Sequence, residues 1–428
     1  MPLRIHIFQK LLWILFMTII AVAIGAYVAL NDMTVNYYLI ILLASFVLSV
    51  FLSVLFKHPK SVIKIILFAL SVRIFIFILL KIYSYHIGLD GFFPGDADAY
   101  TYNDDALMAI HSHSWLDALN GHLSYSYFVA LSYKIFGPDM NIPQLFNLGA
   151  SVLIIPLLFE LGNRVGGKKV GVMAAILWSL FPSAAYWSVS LLKDSFVALG
   201  MVLSGFLILG LSEKKINVKE VILGVCGLLI VSSLRPQFLL AIGLPILINI
   251  LIQFYKGQSN FLRNTIIIIL GIAVFGATSA GNIIVDAFGN ATSKEGVDRI
   301  NEIALQGGSG IKLVTMFPPE IRWIVQFPFS ILSPLPWQLV NIGMKVYYLS
   351  GLEMIFWYIL YYLLWRNRRF ALVENTSKTI LLYAFSIFIA VSFSLPNIGS
   401  IYRYRLGAMA ILIPLVSFII AGKKERSG

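Results

Sequence analysis

Residues 63–86 read IKIILFALSVRIFIFILLKIYSYH, and after a short turn the chain becomes acidic at Gly95-Asp96-Ala97-Asp98-Ala99-Tyr100. The first stretch is 24 residues long with few charges. About 20 mostly apolar residues suffice to cross a bilayer as a helix. The apolar residues run on without the alternation of a strand, so the reading is helical. Only helices and closed barrels satisfy their backbone in lipid. Working outward, the same pattern recurs at 11–30, 38–56, 142–163, 169–188, 195–211, 219–234, 237–254, 264–284, 340–364, 378–396 and 405–421. The expected fold is all-α and polytopic, with about twelve transmembrane helices and interfacial helices in its outer loops.

Composition agrees. Of 428 residues, 59% are apolar and only 12% charged, about half the charged share of a soluble chain. This excludes an ordinary soluble enzyme and a disordered chain. The net charge of +12 points to nucleic acid only until the charges are placed. Twelve spans put both termini on one side. That side holds Arg4, Lys10, Lys57, Lys60, Lys64, Arg164, Lys168, Lys169, Lys214, Lys215, Lys219, Lys256, Arg263, Arg366, Arg368, Arg369, Lys378, Lys423, Lys424 and Arg426, most of the 32 Lys and Arg residues. Positive charge collects in cytoplasmic loops. The expectation is therefore a cell-membrane protein with both termini cytoplasmic and no nucleic-acid partner. The run at 11–30 is long for a cleaved signal core and reads as a retained span. The lone Cys226 forms no internal disulfide.

Two outer loops are long, 87–141 and 283–339. The 13-residue stretch from Ser124 to Phe136 is short for a span and reads as a helix in the outer interface, with Tyr125, Tyr127 and Tyr133 at headgroup level. Before Lys134 the first loop carries Asp90, Asp96, Asp98, Asp104, Asp105 and Asp117 but no Lys or Arg. A solvated acidic loop is the plain explanation, and an Asp-x-Asp pair alone is weak. The same face, however, carries Lys193 beside Asp194, Arg235 before Pro236, and Arg403 and Arg405 in Tyr402-Arg403-Tyr404-Arg405. These break the charge bias of outer loops. Each alone reads as a snorkelling anchor. Four together, facing an acidic loop, read as an anion site, because arginine forks match phosphate oxygens and lysine supplies a point charge. A carboxylate with phosphate-binding cations at a membrane surface suits group transfer from a phospholipid carrier.

The sequence here resembles the GT-C superfamily of membrane glycosyltransferases. The resemblance rests on Asp96-Ala-Asp98-Ala-Tyr100, the Tyr127-to-Phe136-Gly137 stretch, Gln144-Leu-Phe-Asn147, Arg164 to Lys169, Phe181-Pro182-Ser183 and Leu192-Lys193-Asp194. Ser333-Pro334-Leu335-Pro336-Trp337 and Tyr402 to Arg405 are similar to bacterial relatives of the protein O-mannosyltransferase and aminoarabinose-transferase type, glycosyltransferase family 39. It covers roughly residues 63–421. The spans before residue 62 are then two extra helices, and 63–428 is the catalytic domain. The resemblance implies sugar transfer from a polyprenyl-phosphate donor, usually with inversion, to a glycan, lipid or protein acceptor on the extracytoplasmic face. It places the general base at Asp98 or Asp96, a second acidic position at Asp194, and the donor phosphate on Lys193, Arg235, Arg403 and Arg405.

Two rivals share the layout: a polysaccharide polymerase or ligase using polyprenyl-diphosphate glycans, and a multi-pass transporter or lipid flippase. Paired halves with broken midplane helices, frequent in transporters, are not evident. No cofactor motif occurs. His111-x-His113 with nearby aspartates allows a divalent metal, though such spacing is common by chance. Arg73 and Glu353 each lie within a span, which suggests a buried pair, and Lys81 suits snorkelling. In the second outer loop, Thr292-x-x-Glu295 reads as a capping box opening an amphipathic helix, followed by a flexible Gly307-Gly308-Ser309-Gly310.

Overall fold

A computed structural model describes residues 33–94, 97–112, 125–213, 217–257, 302, 310–339, 346–393 and 397–422. Among them the regular elements are helices, and an isolated antiparallel bridge joins Gly310 to Asn397. Six helices are long and apolar enough to cross a membrane: Thr34–Leu55, Lys60–His86, Asn141–Gly166, Asp194–Glu213, Pro236–Tyr255 and Asn375–Ser392. Two bent pairs raise the number to eight, Lys168–Leu180 with Pro182–Val189 (55°) and Ile398–Tyr404 with Leu406–Ala421 (50°). The chain is thus an all-helical, multi-pass membrane protein. The expected spans 11–30 and 264–284 lie outside the described residues, as do the helix at Thr292 and the glycines 307–309. The expected span 219–234 is a helix of 17 residues, and 340–364 begins at Val346 and contains five Tyr and two Trp. Those polar-tipped aromatics keep it out of the strongly apolar set.

The chain forms two compact units, the first comprising 1–157 and 175–195, the second 158–174 and 196–428. In the first, α1 (Met33–Leu55) packs against α2 (Pro59–His86). Pro59 opens α2 at a position whose N–H has no helical acceptor. Gly88, with φ +73°, closes it. The chain then folds back. The Gly91 N–H donates to Ser84 Oγ (2.9 Å) and Lys81 Nζ donates to the Gly91 carbonyl (2.9 Å). Lys81 therefore holds a turn rather than reaching outward. Helices α3 (Ala97–His111) and α4 (Tyr125–Phe136) pack along each other. They lead into α5 (Asn141–Gly166), α6 (Lys168–Leu180) and α7 (Pro182–Val189), and α7 returns to α2. Pro182 cannot continue the α6 ladder, which accounts for the bend.

Fully buried Arg73 ties this unit together. Its Nε donates to Ser151 Oγ (3.0 Å), Nη1 to the Ala69 carbonyl (3.3 Å) and Nη2 to the Trp178 carbonyl (3.3 Å). Trp178 Nε1 donates to the Ser151 carbonyl (3.0 Å), completing the knot among α2, α5 and α6.

The second unit continues with α8 (Asp194–Glu213), α9 (Val218–Leu234), a short 3-10 turn (Pro236–Phe238) and α10 (Leu239–Tyr255). Next come α11 (Lys312–Thr315), α12 (Pro319–Leu332), α13 (Val346–Arg366), α14 (Arg368–Ala371), α15 (Asn375–Ser392), α16 (Ile398–Tyr404) and α17 (Leu406–Gly422). Helix α15 is its hub, packed on α10, α12 and α17. Helices α8 and α9 cross at glycines. A Cβ on Gly227 would lie 2.5 Å from the Gly200 carbonyl and 2.6 Å from Ser204 N. Small residues let membrane helices approach this closely.

Arg164, expected as a plain cytoplasmic charge, is an ion-pair hub. It meets Glu160 at 3.0 Å, Glu220 at 2.8 Å and Glu213 at 3.7 Å. Glu220 also closes the capping box with Asn217 that starts α9. Removing the cation strands carboxylates that are largely buried, at a cost of about 3 kcal/mol. Arg164→Met should therefore lower the unfolding temperature in detergent markedly, and adding Glu220→Gln should recover part of the loss.

Candidate active site

In the first unit, the site is built on α3. Phe92 stacks on Tyr100 (centroids 4.0 Å apart) and the Tyr186 hydroxyl donates to the Pro94 carbonyl, fixing how the chain enters the helix. Asp98 lies half-buried in the first turn of α3, where exposed N–H groups favour a carboxylate. Tyr102 is one turn further on the same face. Its ring meets Tyr125 of α4 edge-on at 4.9 Å, and Lys193 Nζ stands 6.0 Å from its centroid. Asp105 accepts from Ser126 Oγ (2.8 Å) and Asn103 from the Tyr133 hydroxyl (2.7 Å), which locks α3 to α4.

Buried Asn147 connects this pair to the turn carrying Lys193 and Asp194. Its Nδ2 donates both to Tyr125 Oη (2.7 Å) and to the Ser190 carbonyl (2.6 Å). Asp194, 3% exposed, starts α8 and lies within electrostatic reach of Tyr125. The first unit therefore gathers Asp98, Lys193 and Asp194 around Tyr102 and Tyr125. Burial raises Tyr125 well above the usual phenol range, with the Asn147 hydrogen bond opposing. Burial, with the charges of Asp139 and Asp104, raises Tyr133. Tyr125 and Tyr133 pack against protein, with 1% and 2% of their surface exposed. Their rings and hydroxyls are taken up by α3 and α5.

The second unit carries the arginines. Arg235 caps the C-terminal end of α9, and its guanidinium lies over the Tyr404 ring at 3.5 Å. Phe238 flanks the same ring. Arg405 occupies the bend between α16 and α17 and is fully buried. Its Nη1 donates to the Ser333 carbonyl, and its guanidinium stands 5.4 Å from the Tyr402 ring centroid. The Tyr402 hydroxyl donates to Glu353 Oε2 (3.1 Å), and Trp357 Nε1 donates to Glu353 Oε1 (3.2 Å). Arg403 lies half-buried between the two tyrosines. Aromatic faces hold guanidinium groups while leaving N–H edges available to an oxyanion. Thus Arg235 and the Tyr402-to-Arg405 segment converge within one unit.

Residues 105–290 match the model of the Alg9-like mannosyltransferase family. The match covers less than half of the chain and makes this stretch similar to a family of GT-C membrane glycosyltransferases. No curated protein and no solved structure matched it in comparison. The family model points to a lipid-linked sugar donor and a glycan acceptor. It does not give the narrower family 39 type that the Ser333-to-Trp337 and Tyr402-to-Arg405 motifs suggested. The matched stretch contains Lys193, Asp194 and Arg235; Asp98, Arg403 and Arg405 flank it.

Some expectations for the glycosyltransferase change. Asp96 and His113 fall outside the described residues. His111 Nδ1 sits 2.6 Å from the Leu107 carbonyl of its own helix, and no group of three or more metal-binding side chains occurs among the described residues. The Arg73–Glu353 pair finds no support in the bonds just described, since Arg73 donates to Ser151 and two carbonyls while Glu353 accepts from Trp357 and Tyr402. Sequence reasoning gave no role to Asn147, Tyr102 or Tyr404. A visible signal was Gln144 with Asn147, two amides one turn apart opening an apolar helix.

Neutral Tyr125 and Tyr133 give an alkaline signature. A raised folded-state value makes their contribution to stability full below about pH 10, the ordinary tyrosine value. It is lost as pH rises through the raised values. Unfolding temperature should fall with pH above 10, and the Tyr125→Phe/Tyr133→Phe double variant should show a shallower fall.

Proposed function

We propose that the enzyme transfers a sugar from a polyprenyl-phosphate donor to a glycan hydroxyl on the extracytoplasmic face of the cell membrane, with both termini cytoplasmic. The charge asymmetry of the loops supports this sidedness. Mannose is the first sugar to test, since the matched family model is named for it. The Asp98 carboxylate accepts the acceptor's hydroxyl proton as that oxygen bonds to the anomeric carbon. The bond from the anomeric carbon to the phosphate oxygen breaks, and its electron pair leaves on the polyprenyl phosphate. Cations neutralise the charge that grows there; the candidates are Lys193 in the first unit and Arg235, Arg403 and Arg405 in the second. Asp194 orients the Lys193 side of the site.

The observation that carries this reading is Lys193 on the Tyr102 ring, one helical turn from Asp98. A cation on the ring one turn from a carboxylate supports a role for both in one reaction. Asp105 is the contrasting acid, since its hydrogen bond to Ser126 makes it structural.

The test uses purified full-length enzyme with a synthetic polyprenyl-phosphate mannose and an oligosaccharide acceptor. General-base removal costs about 10²–10⁴ in rate. Asp98→Asn should lose that much kcat while retaining donor binding. Lys193→Met should raise the donor KM. Full turnover by Asp98→Asn would remove the base from this position.

A further inference from the structure

Three polar groups near Arg405 have hydrogen-bonding capacity that no described residue uses. They are Arg405 Nε, Arg405 Nη2 and the buried Tyr361 hydroxyl. All belong to the second unit. Tyr361 lies on α13 one turn beyond Trp357, whose ring it meets at 5.6 Å. Trp357 in turn lies one turn beyond Glu353. Glu353, Trp357 and Tyr361 thus form one stripe facing the Tyr402-to-Arg405 segment, with the Tyr361 phenol within electrostatic reach of the Arg405 guanidinium.

A buried guanidinium with two idle N–H donors is expensive, and an idle buried phenol adds to the cost. The Glu353 carboxylate offsets charge from nearby, yet its two oxygens already accept from Trp357 and Tyr402. Tyr358, on the same helix, donates to the Leu332 and Pro334 carbonyls and is thereby settled. The remaining donors share one need, an acceptor with several oxygens and a negative charge. A phosphoryl group supplies it.

We infer that Tyr361 is a phosphate ligand, its hydroxyl and the Arg405 Nε and Nη2 edge donating together to the phosphoryl oxygens of the lipid-linked donor. This rests on the proposed donor site and extends it with a residue that no motif marks. Glu353 and Tyr402 act as positioning residues that hold the arginine in place.

The experiment measures binding of a short polyprenyl monophosphate to the full-length protein in detergent, with inorganic phosphate as competitor. Variants are Tyr361→Phe, Arg405→Lys and, as a lipid-exposed neighbour, Tyr362→Phe. Losing one hydrogen bond to a charged group weakens binding by roughly 10-fold or more. Tyr361→Phe should raise Kd and donor KM by that factor, while Tyr362→Phe binds like the parent. Because the phenol is idle without ligand, Tyr361→Phe should keep or raise the unliganded unfolding temperature, and the upward shift caused by the monophosphate should shrink. Competition by inorganic phosphate would mean that the phosphoryl group suffices. Binding confined to the lipid form but still sensitive to Tyr361→Phe would assign the site to the headgroup. Both results support the inference. An unchanged Kd in Tyr361→Phe with a raised Kd in Arg405→Lys overturns the role of Tyr361 and leaves the donor site standing. Unchanged Kd in both overturns the donor site as well. A lower unliganded unfolding temperature in Tyr361→Phe would mean a structural partner for the phenol and also overturns it.

Discussion

A polar group buried among lipid-facing helices has no water to turn to, so the protein must satisfy it or use it. That constraint sorts the buried cations of this chain. Arg73 sends all three kinds of guanidinium nitrogen to a hydroxyl and two carbonyls. Arg164 is surrounded by three glutamates. Both are framework. Arg405 is equally buried but directs only one nitrogen to a described acceptor, the Ser333 carbonyl. Arg235 lies over an aromatic ring. The difference between a closed network and an open donor edge separates structure from chemistry here, where charge alone does not.

Each compact unit carries its own group of polar side chains. The first holds the carboxylate and amine around a pair of tyrosines, on a helix locked by side-chain hydrogen bonds. The second holds guanidinium groups against aromatic rings at a bent helix pair. An acid that takes a proton and cations that receive a departing phosphate are the two needs of sugar transfer from a lipid phosphate. The family match at 105–290 supports a glycosyltransferase reaction.

Much of the fold was legible from hydrophobic run length, because a bilayer imposes that length. The helices at 33–55, 59–86, 141–166, 194–213, 239–255 and 375–392 lie close to the apolar stretches that suggest them. The bends at Pro182 and Arg405 were less legible, since a run of apolar residues carries no angle. The helix at 97–111 was hidden by its acidic composition. Its buried residues are Ala99, Ala106 and Ala109, small side chains that give little hydrophobic signal. At the site, Asp98, Lys193 and Asp194 were legible as charges in unexpected places. Asn147 showed only as one of two amides opening an apolar helix, and Tyr361 not at all, because neither breaks a charge rule. Their meaning lies in which hydrogen bonds they make or leave unmade, a property of packing that residue spacing does not carry.

The central claim is that the open donor edge of Arg405 receives the phosphate of a lipid-linked sugar. A high-resolution structure of the full-length protein with a non-hydrolysable polyprenyl-phosphate sugar tests it most directly. The account predicts the phosphoryl oxygens within roughly 3 Å of Arg405 and of the Tyr361 hydroxyl. A phosphate bound away from Arg405 would contradict it.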